Sequence, residues 1–178
     1  MMAVCSFAGH TEVYDADLAS RVQAEVDRLA KEYEAVEFLV YPAGMSSYIF
    51  LLAVLRARTR YPQRITITLV SYCGSVSKLN ERELACLYMS DKVITLDMED
   101  TKKNDPSIGR KRRQKWLVQN STHLMSYFYD TIYDPDNQLG KVPKTLTLIR
   151  LTTHETEAAI LKAAPLMTKK EQNIFYKL

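Results

Sequence analysis

Two apolar stretches of this sequence are followed by glycine and small polar residues, which are residue types that can contact an anion. The first stretch ends in Gly9, His10 and Thr11. A glycine allows the backbone to approach a ligand closely, and the amides that follow it can face a phosphate or a carboxylate. The imidazole of His10 can donate a hydrogen bond to a phosphate, stack on a base or titrate near neutral pH. The alternative interpretation is an ordinary turn glycine with an exposed histidine beside it.

The second stretch leads into Gly44, Met45, Ser46 and Ser47, just before a long apolar segment that is typical of a helix. The first amides of a helix lack partners within it and its dipole favours an anion, so this junction can bind a phosphate. Ser46 or Ser47 could instead cap the helix, and one serine can fill each role. The sequence contains neither the P-loop motif G-x-x-x-x-G-K-[ST] nor the dinucleotide motif G-x-G-x-x-G, which excludes both kinds of site here.

Residues 110–113 form the one concentrated basic block of the chain. A block of this kind usually forms a solvated helix face. If the helix begins near Ser107, however, Arg112 or Arg113 can reach the ligand and bind its phosphates through bidentate contacts. Trp116 can stack on a base, but its helical spacing beside Leu117 favours a place in the core.

Catalytic and metal sites find little support in the residue pattern. The three histidines could pair with carboxylates, but the sequence has no G-x-S-x-G turn and no spacing typical of a metal site. Asp130 and Asp134, which should lie near the strand ends, could serve as a base or bind a ribose, although a solvated loop position is the favoured interpretation of both. We therefore predict no catalytic residue, no metal and no cofactor.

The apolar pattern predicts strands that alternate with helices. Residues 18–30 carry a stripe at helical spacing, which Asp15 or Asp17 can cap. Strands separated by helices pair in parallel through right-handed crossovers, which predicts an α/β fold, a three-layer Rossmann-like sandwich with a mostly parallel open sheet. Ligands bind such sheets at the carboxyl ends of the strands. The predicted strands cover residues 3–8, 37–44, 64–72, 92–97 and 124–130, residues 145–152 fit either a strand or a helix, and residues 154–164 favour a helix.

Length and composition indicate one globular domain over residues 1–178, with 47% hydrophobic and 25% charged residues. A net charge of +3 neither requires nor excludes a nucleic-acid partner. Cys5, Cys73 and Cys86 are too widely spaced for a zinc motif or a disulfide framework, which indicates buried thiols in a reducing compartment. Without a signal segment or a membrane-spanning apolar run, we expect a cytoplasmic protein with no membrane partner.

Three stretches, CSFAGH, FLVYPAGMSSYIFLLAVL and RKRRQKWLVQNSTHLMSYFYD, together resemble the SLOG superfamily. This Rossmann-like group includes DprA-like, YpsA-like and LOG proteins, and the bacterial YpsA-like branch is the most similar. The resemblance covers residues 3–150 and leaves residues 151–178 as a C-terminal extension. It implies that a nucleotide or a nucleotide-derived molecule binds in the crevice along the matching loops.

The resemblance assigns roles to particular residues of this chain. Gly9 and His10 match the first ligand loop of the family, and Gly44 matches a glycine of the second. Arg113 matches the arginine of an Arg-Asn pair, and Ser121 matches a serine before the fifth strand. The sequence departs from the family at several of its other positions: Thr11 replaces an arginine, Gln114 replaces the asparagine of that pair, and the glutamate segment of the LOG enzymes has no counterpart.

These observations lead to three hypotheses for the function. The first is a sensor or sequestering module that binds a nucleotide-derived molecule without consuming it and that could form a homo-oligomer. Under this hypothesis, Gly44→Val should abolish binding and leave the fold intact. The second is a nucleosidase or phosphoribohydrolase acting on nucleoside monophosphates through Asp130 or Asp134. The third is single-stranded nucleic-acid binding of the DprA type, through the basic block and stacking tyrosines.

Overall fold

The computed structural model describes residues 1–13, 15–41, 44–71, 81–96, 106–128 and 143–152, and of Arg82 and residues 106–111 only the backbone. The described strands are β1 (Met2–Gly9), β2 (Ala35–Val40), β3 (Ile65–Ser71), β4 (Lys92–Thr95), β5 (His123–Tyr127) and β6 (Thr147–Arg150). The described helices are α1 (Leu18–Glu32), α2 (Met45–Arg60), α3 (Glu81–Met89) and α4 (Pro106–Gln119). The segment that fitted either a strand or a helix thus contains a strand, β6. The helix predicted at 154–164 lies outside the described residues.

The six strands form one sheet in the order β4-β3-β2-β1-β5-β6. Every neighbouring pair is parallel. The predicted α/β Rossmann-like sandwich is therefore confirmed, and its described sheet is parallel throughout. The chain adds β2, β3 and β4 in one direction from β1, and then returns to place β5 and β6 on the other side of β1.

Helices cover both faces of the sheet. Side chains alternate between the faces along each strand, so a strand that is apolar throughout needs a helix on each face to bury them. On one face of β1 lie Cys5 and Phe7, and the rings of Phe7 and Phe50 of α2 stack 5.5 Å apart. On the other face, Ala8 packs in a cluster with Val118 of α4. Right-handed crossovers explain this division: α1, α2 and α3 link strands that are added in one direction, whereas α4 returns across the opposite face.

Helix α1 buries the apolar stripe that its sequence predicts. Its buried residues are Leu18, Val22, Val26, Leu29 and Ala30. Before the helix, the carboxylate of Asp15 accepts a hydrogen bond from the Asp17 amide at 2.9 Å and forms an ion pair with Arg21. The Asp17 side chain makes no capping bond. Of the two predicted caps, Asp15 is therefore the residue that fastens the start of the helix.

Cys5 and Cys86 are buried free thiols, as the sequence predicts, while Cys73 lies outside the described residues. Burial raises the pKa of Cys86 to about 11 and also raises the pKa of Cys5. Both thiols therefore stay protonated and serve as packing groups. None of the described helices combines the length and the hydropathy that crossing a membrane requires.

Candidate functional site

The strand order of the sheet reverses between β1 and β5, and open α/β sheets bind ligands outside the carboxyl ends of the strands at such a point. β1 ends at Gly9 and β5 ends at Tyr127, and these two residues are partners in the parallel ladder. The first predicted ligand loop therefore begins at the position where the fold favours a ligand.

Gly9 is required by the neighbouring strand. A β-carbon at residue 9 would lie 2.6 Å from the carbonyl oxygen of Tyr127 and 3.0 Å from its Cβ. The His10 amide donates a hydrogen bond to the same carbonyl oxygen at 2.9 Å, which keeps the two strand ends together. The group that lies close to Gly9 is therefore the backbone of β5. The close approach of a ligand to Gly9 stays a prediction.

Gly44 begins helix α2 with a backbone that side chains rarely adopt, at φ 90° and ψ −174°. The amides of Met45 and Ser46 both donate to the carbonyl oxygen of Thr11, at 2.9 and 3.4 Å. A β-carbon on Gly44 would lie 2.5 Å from the Cβ of Thr11. The loop after β1 is therefore fastened directly onto the start of α2.

The serines that follow Gly44 are buried. Ser46 is fully buried, and its hydroxyl donates to the carbonyl oxygen of His10; Ser47 is also buried. The start of α2 thus binds the loop after β1. The amides of Met45 and Ser46 and the Ser46 hydroxyl, which were predicted to contact an anion, all donate to this loop. The side chain of Met45, also a predicted ligand contact, lines a groove between α2 and α3 instead.

His10 lies half-buried beside the end of β5. Its ring meets the Phe128 ring edge to face, with centroids 5.5 Å apart and an interplanar angle of 76°. Its backbone is held on both sides, since its amide binds Tyr127 and its carbonyl oxygen binds Ser46. Thr11, next to it, is also half-buried. These residues form one ordered edge at the carboxyl ends of β1 and β5.

Arg113 lies on the opposite face of the sheet from α2. Its guanidinium stacks on the ring of Tyr41, which follows β2, at 4.5 Å from the ring centroid. Arg112 is exposed. Trp116 is half-buried and packs with Tyr41, which confirms the place in the core that its spacing favoured. The structure thus brings the loops of Gly9 and Gly44 together. Arg113 lies at the end of β2, on the face of the sheet opposite to α2.

Ser121 does not join the other predicted ligand contacts. It precedes β5, so it lies at the amino end of the strand, whereas the other residues gather at carboxyl ends. Its hydroxyl donates to the Ser6 hydroxyl at 2.7 Å, and the next amide, that of Thr122, donates to the carbonyl oxygen of Val4 at 2.8 Å. Ser121 therefore ties α4 and β5 to the middle of β1, away from the other predicted contacts, and the ligand contact that the resemblance implies for it stays a prediction.

A polar network that no sequence pattern predicted surrounds His123, which is also at the amino end of β5. The Tyr33 hydroxyl lies 3.2 Å from Nε2, and the Thr122 hydroxyl oxygen lies 2.9 Å from Nδ1. Because the Thr122 hydroxyl also donates to Val4, the network is satisfied when Nδ1 carries the proton and Tyr33 donates to Nε2. Burial lowers the pKa of His123, and the nearby Arg28 charge lowers it further.

This network predicts a pH dependence of stability. The unfolded chain binds a proton at His123 more readily than the folded chain does, so the free energy of unfolding should fall as the pH drops below about 6.5. His123→Gln removes that titration, and its stability should vary less between pH 7.5 and 5.5. Urea denaturation of both proteins across this range measures the difference. Identical pH profiles would show that His123 titrates normally in the folded protein.

Several predicted residues lie outside the described part of the chain, namely Asp130, Asp134 and residues 72–74. Among the described residues, no group of three or more His, Cys, Asp or Glu side chains could hold a metal ion. No family model matches this chain, and no curated protein matches it at a significant level. The similarity to the SLOG superfamily therefore depends on the sequence motifs alone.

Proposed function

We propose that this protein binds a nucleotide or a nucleotide-derived small molecule at the carboxyl ends of β1 and β5, as a cytoplasmic sensor or sequestering module. The observation that carries the proposal is the reversal of strand order at β1 and β5, with the loop of residues 9–11 fastened to the start of α2 beside it. A site held by backbone hydrogen bonds loses little conformational freedom when a ligand binds, which favours affinity.

His10 and the arginines are the side chains expected to contact this ligand. The amides of Met45 and Ser46 already bind Thr11, so a phosphate is expected at His10 rather than at the start of α2. The imidazole can donate to a phosphate oxygen or stack on a base. Arg113, and the exposed Arg112 beside it, add positive charge from α4.

Thermal unfolding in the presence of candidate ligands tests the proposal. The panel contains nucleoside mono-, di- and triphosphates, cyclic nucleotides, ADP-ribose and NAD. A ligand that binds only the folded protein adds about 2.7 kcal/mol to its stability at 100 times its Kd, which raises the midpoint clearly. We expect one chemical class to raise the midpoint and to be recovered unchanged.

Two matched histidine variants locate the site. His10→Gln and His123→Gln each remove a half-buried or buried ring that meets another ring edge to face, at opposite ends of the sheet. His10→Gln should weaken binding about tenfold, which corresponds to one hydrogen bond to a charged group. His123→Gln should leave the affinity unchanged. Equal affinities for both variants would place the ligand elsewhere.

Two further assays on the same protein, one for release of a free base and one for oligonucleotide binding, distinguish the other functions. Release of a free base from a nucleoside monophosphate would replace the sensor with a phosphoribohydrolase. Binding of single-stranded oligonucleotides that weakens steeply with salt would favour the nucleic-acid function. If no compound changes the midpoint, the proposal is wrong.

A further inference from the structure

A groove of about 380 Å³ lies between α2 and α3, apart from the ends of β1 and β5. Apolar side chains from both helices line it, among them Leu52 and Leu55 of α2 and Met89 of α3. Ala85 also lines it, and its small side chain leaves space at the middle of α3. The groove is therefore a feature of the outer helix layer, separate from the site proposed above.

The exposed apolar side chains of the described residues concentrate around this groove. Apart from Met1 and Met2, the large ones are Met45, Tyr48, Tyr88, Met89 and Val93. All five belong to α2, α3 or the edge strand β4, and Met45, Tyr48 and Met89 line the groove itself. Contiguous exposed apolar groups of this kind mark binding sites.

The dimensions of the groove indicate a small molecule. Ligand pockets begin at roughly 300 Å³, and the groove lies just above that limit. Its length along α3, from Glu81 to Met89, is about 12 Å at 1.5 Å per residue. An elongated ligand of about that length fits the space.

The two ends of the groove differ in polarity. Helices α2 and α3 run in the same direction on one face, since both follow strands of the parallel sheet. Their first turns supply the Tyr48 ring and the Glu81 carboxylate, whereas Leu55 and Met89 lie toward the other end. Among the residues that the structure describes, Glu81 is the only charged side chain that lines the groove, and it forms no ion pair with another of them. A carboxylate and an aromatic ring that line the same end of a groove favour an ammonium group there.

We propose that this groove binds an elongated apolar molecule that carries an amine at one end. The ammonium group pairs with Glu81 and the Tyr48 ring, and the apolar body lies between the two helices on Leu51 and Cys86, each 3% exposed. The proposal does not depend on the nucleotide site, because its ligand is different and its variants lie on α3, a helix that takes no part in that site.

Calorimetric titration with octylamine, 1-octanol and octanoate at pH 7 tests this inference. The three probes contain eight carbons each, and their head groups are cationic, neutral and anionic at pH 7. Octylamine should bind most tightly, about fivefold more tightly than 1-octanol, which corresponds to an exposed ion pair with a cation–π contact. Octanoate should bind most weakly.

Three variants separate the groove from general charge effects. Ala85→Leu fills the groove with another good helix-forming residue, and binding of both octylamine and 1-octanol should be lost. Glu81→Gln should remove the preference for octylamine and leave 1-octanol unchanged. Glu83→Gln is the matched control, because Glu83 lies in the same first turn but does not line the groove, and it should preserve the preference.

Each contrary result overturns a stated part of the inference. If none of the probes binds, or if Ala85→Leu binds them as before, the groove is not the site. A preference for octanoate, or equal effects of Glu81→Gln and Glu83→Gln, would exclude recognition of an amine by Glu81. If octylamine fails to bind and Ala85→Leu turns a dimer into a monomer, the groove is a contact between copies of this chain.

Discussion

Replacing Gly44 by alanine should lower the free energy of unfolding by about 2–6 kcal/mol. A backbone at φ 90° and ψ −174° is open almost only to glycine and costs any other residue about 1–3 kcal/mol. The new β-carbon would also lie 2.5 Å from the Cβ and 2.9 Å from the Cα of Thr11, and such overpacking adds about 1–3 kcal/mol. Urea denaturation of the variant measures the loss.

A double-mutant cycle with Thr11→Gly separates the two causes. Removing the Thr11 side chain eliminates the contacts to its Cβ and Cγ2, but the contact to Cα and the strained φ of residue 44 remain. The second substitution should therefore recover part of the loss, with a coupling energy of about 1 kcal/mol. If Gly44→Ala is as stable as the original protein, the described junction between Thr11 and α2 is wrong.

This result also bears on how ligand binding can be tested. The sequence alone suggested that Gly44→Val would abolish binding and leave the fold intact. The structure contradicts the second half of that expectation, because any side chain at residue 44 is strained and meets Thr11. Loss of binding in such a variant would report unfolding, so His10→Gln is the informative substitution.

Replacing Gly9 by alanine should lower the free energy of unfolding by about 2 kcal/mol, although alanine usually stabilises a glycine position that has an ordinary backbone. Gly9 does not have a positive φ, so the backbone itself accepts alanine. The cost comes from the Tyr127 carbonyl oxygen, 2.6 Å from the added carbon. That oxygen belongs to the backbone of β5 and cannot move without disturbing the strand.

Hydrogen exchange gives a local measurement of this effect. The His10 amide, bonded to Tyr127, should lose protection in Gly9→Ala. The Thr122 amide, bonded to Val4 at the other end of the same strand pair, is the internal control and should keep more of its protection. Unchanged stability and protection would mean that β1 and β5 can separate slightly at no cost.

The fold class and most elements followed from local patterns. The stripe of residues 18–30 predicts helix α1, and alternating strands and helices predict a parallel sheet, because few other arrangements bury such segments. The positions of the Gly9 and Gly44 loops at one edge follow from the same argument. The sequence analysis considered a carboxylate partner for His123 and did not predict its contact with Tyr33, because Tyr33 is 90 residues away in the chain.

The amino-acid sequence by itself thus determined which segments become strands and helices, since periodicity and turn residues act over a few neighbours. Only the tertiary structure decided what each candidate residue contacts. It set Tyr127 against Gly9, set Thr11 against Gly44, and placed Ser121 at the far end of β5. These contacts depend on strand order and register, which join residues more than 100 positions apart in the pairing of β1 with β5 and leave no local pattern to read.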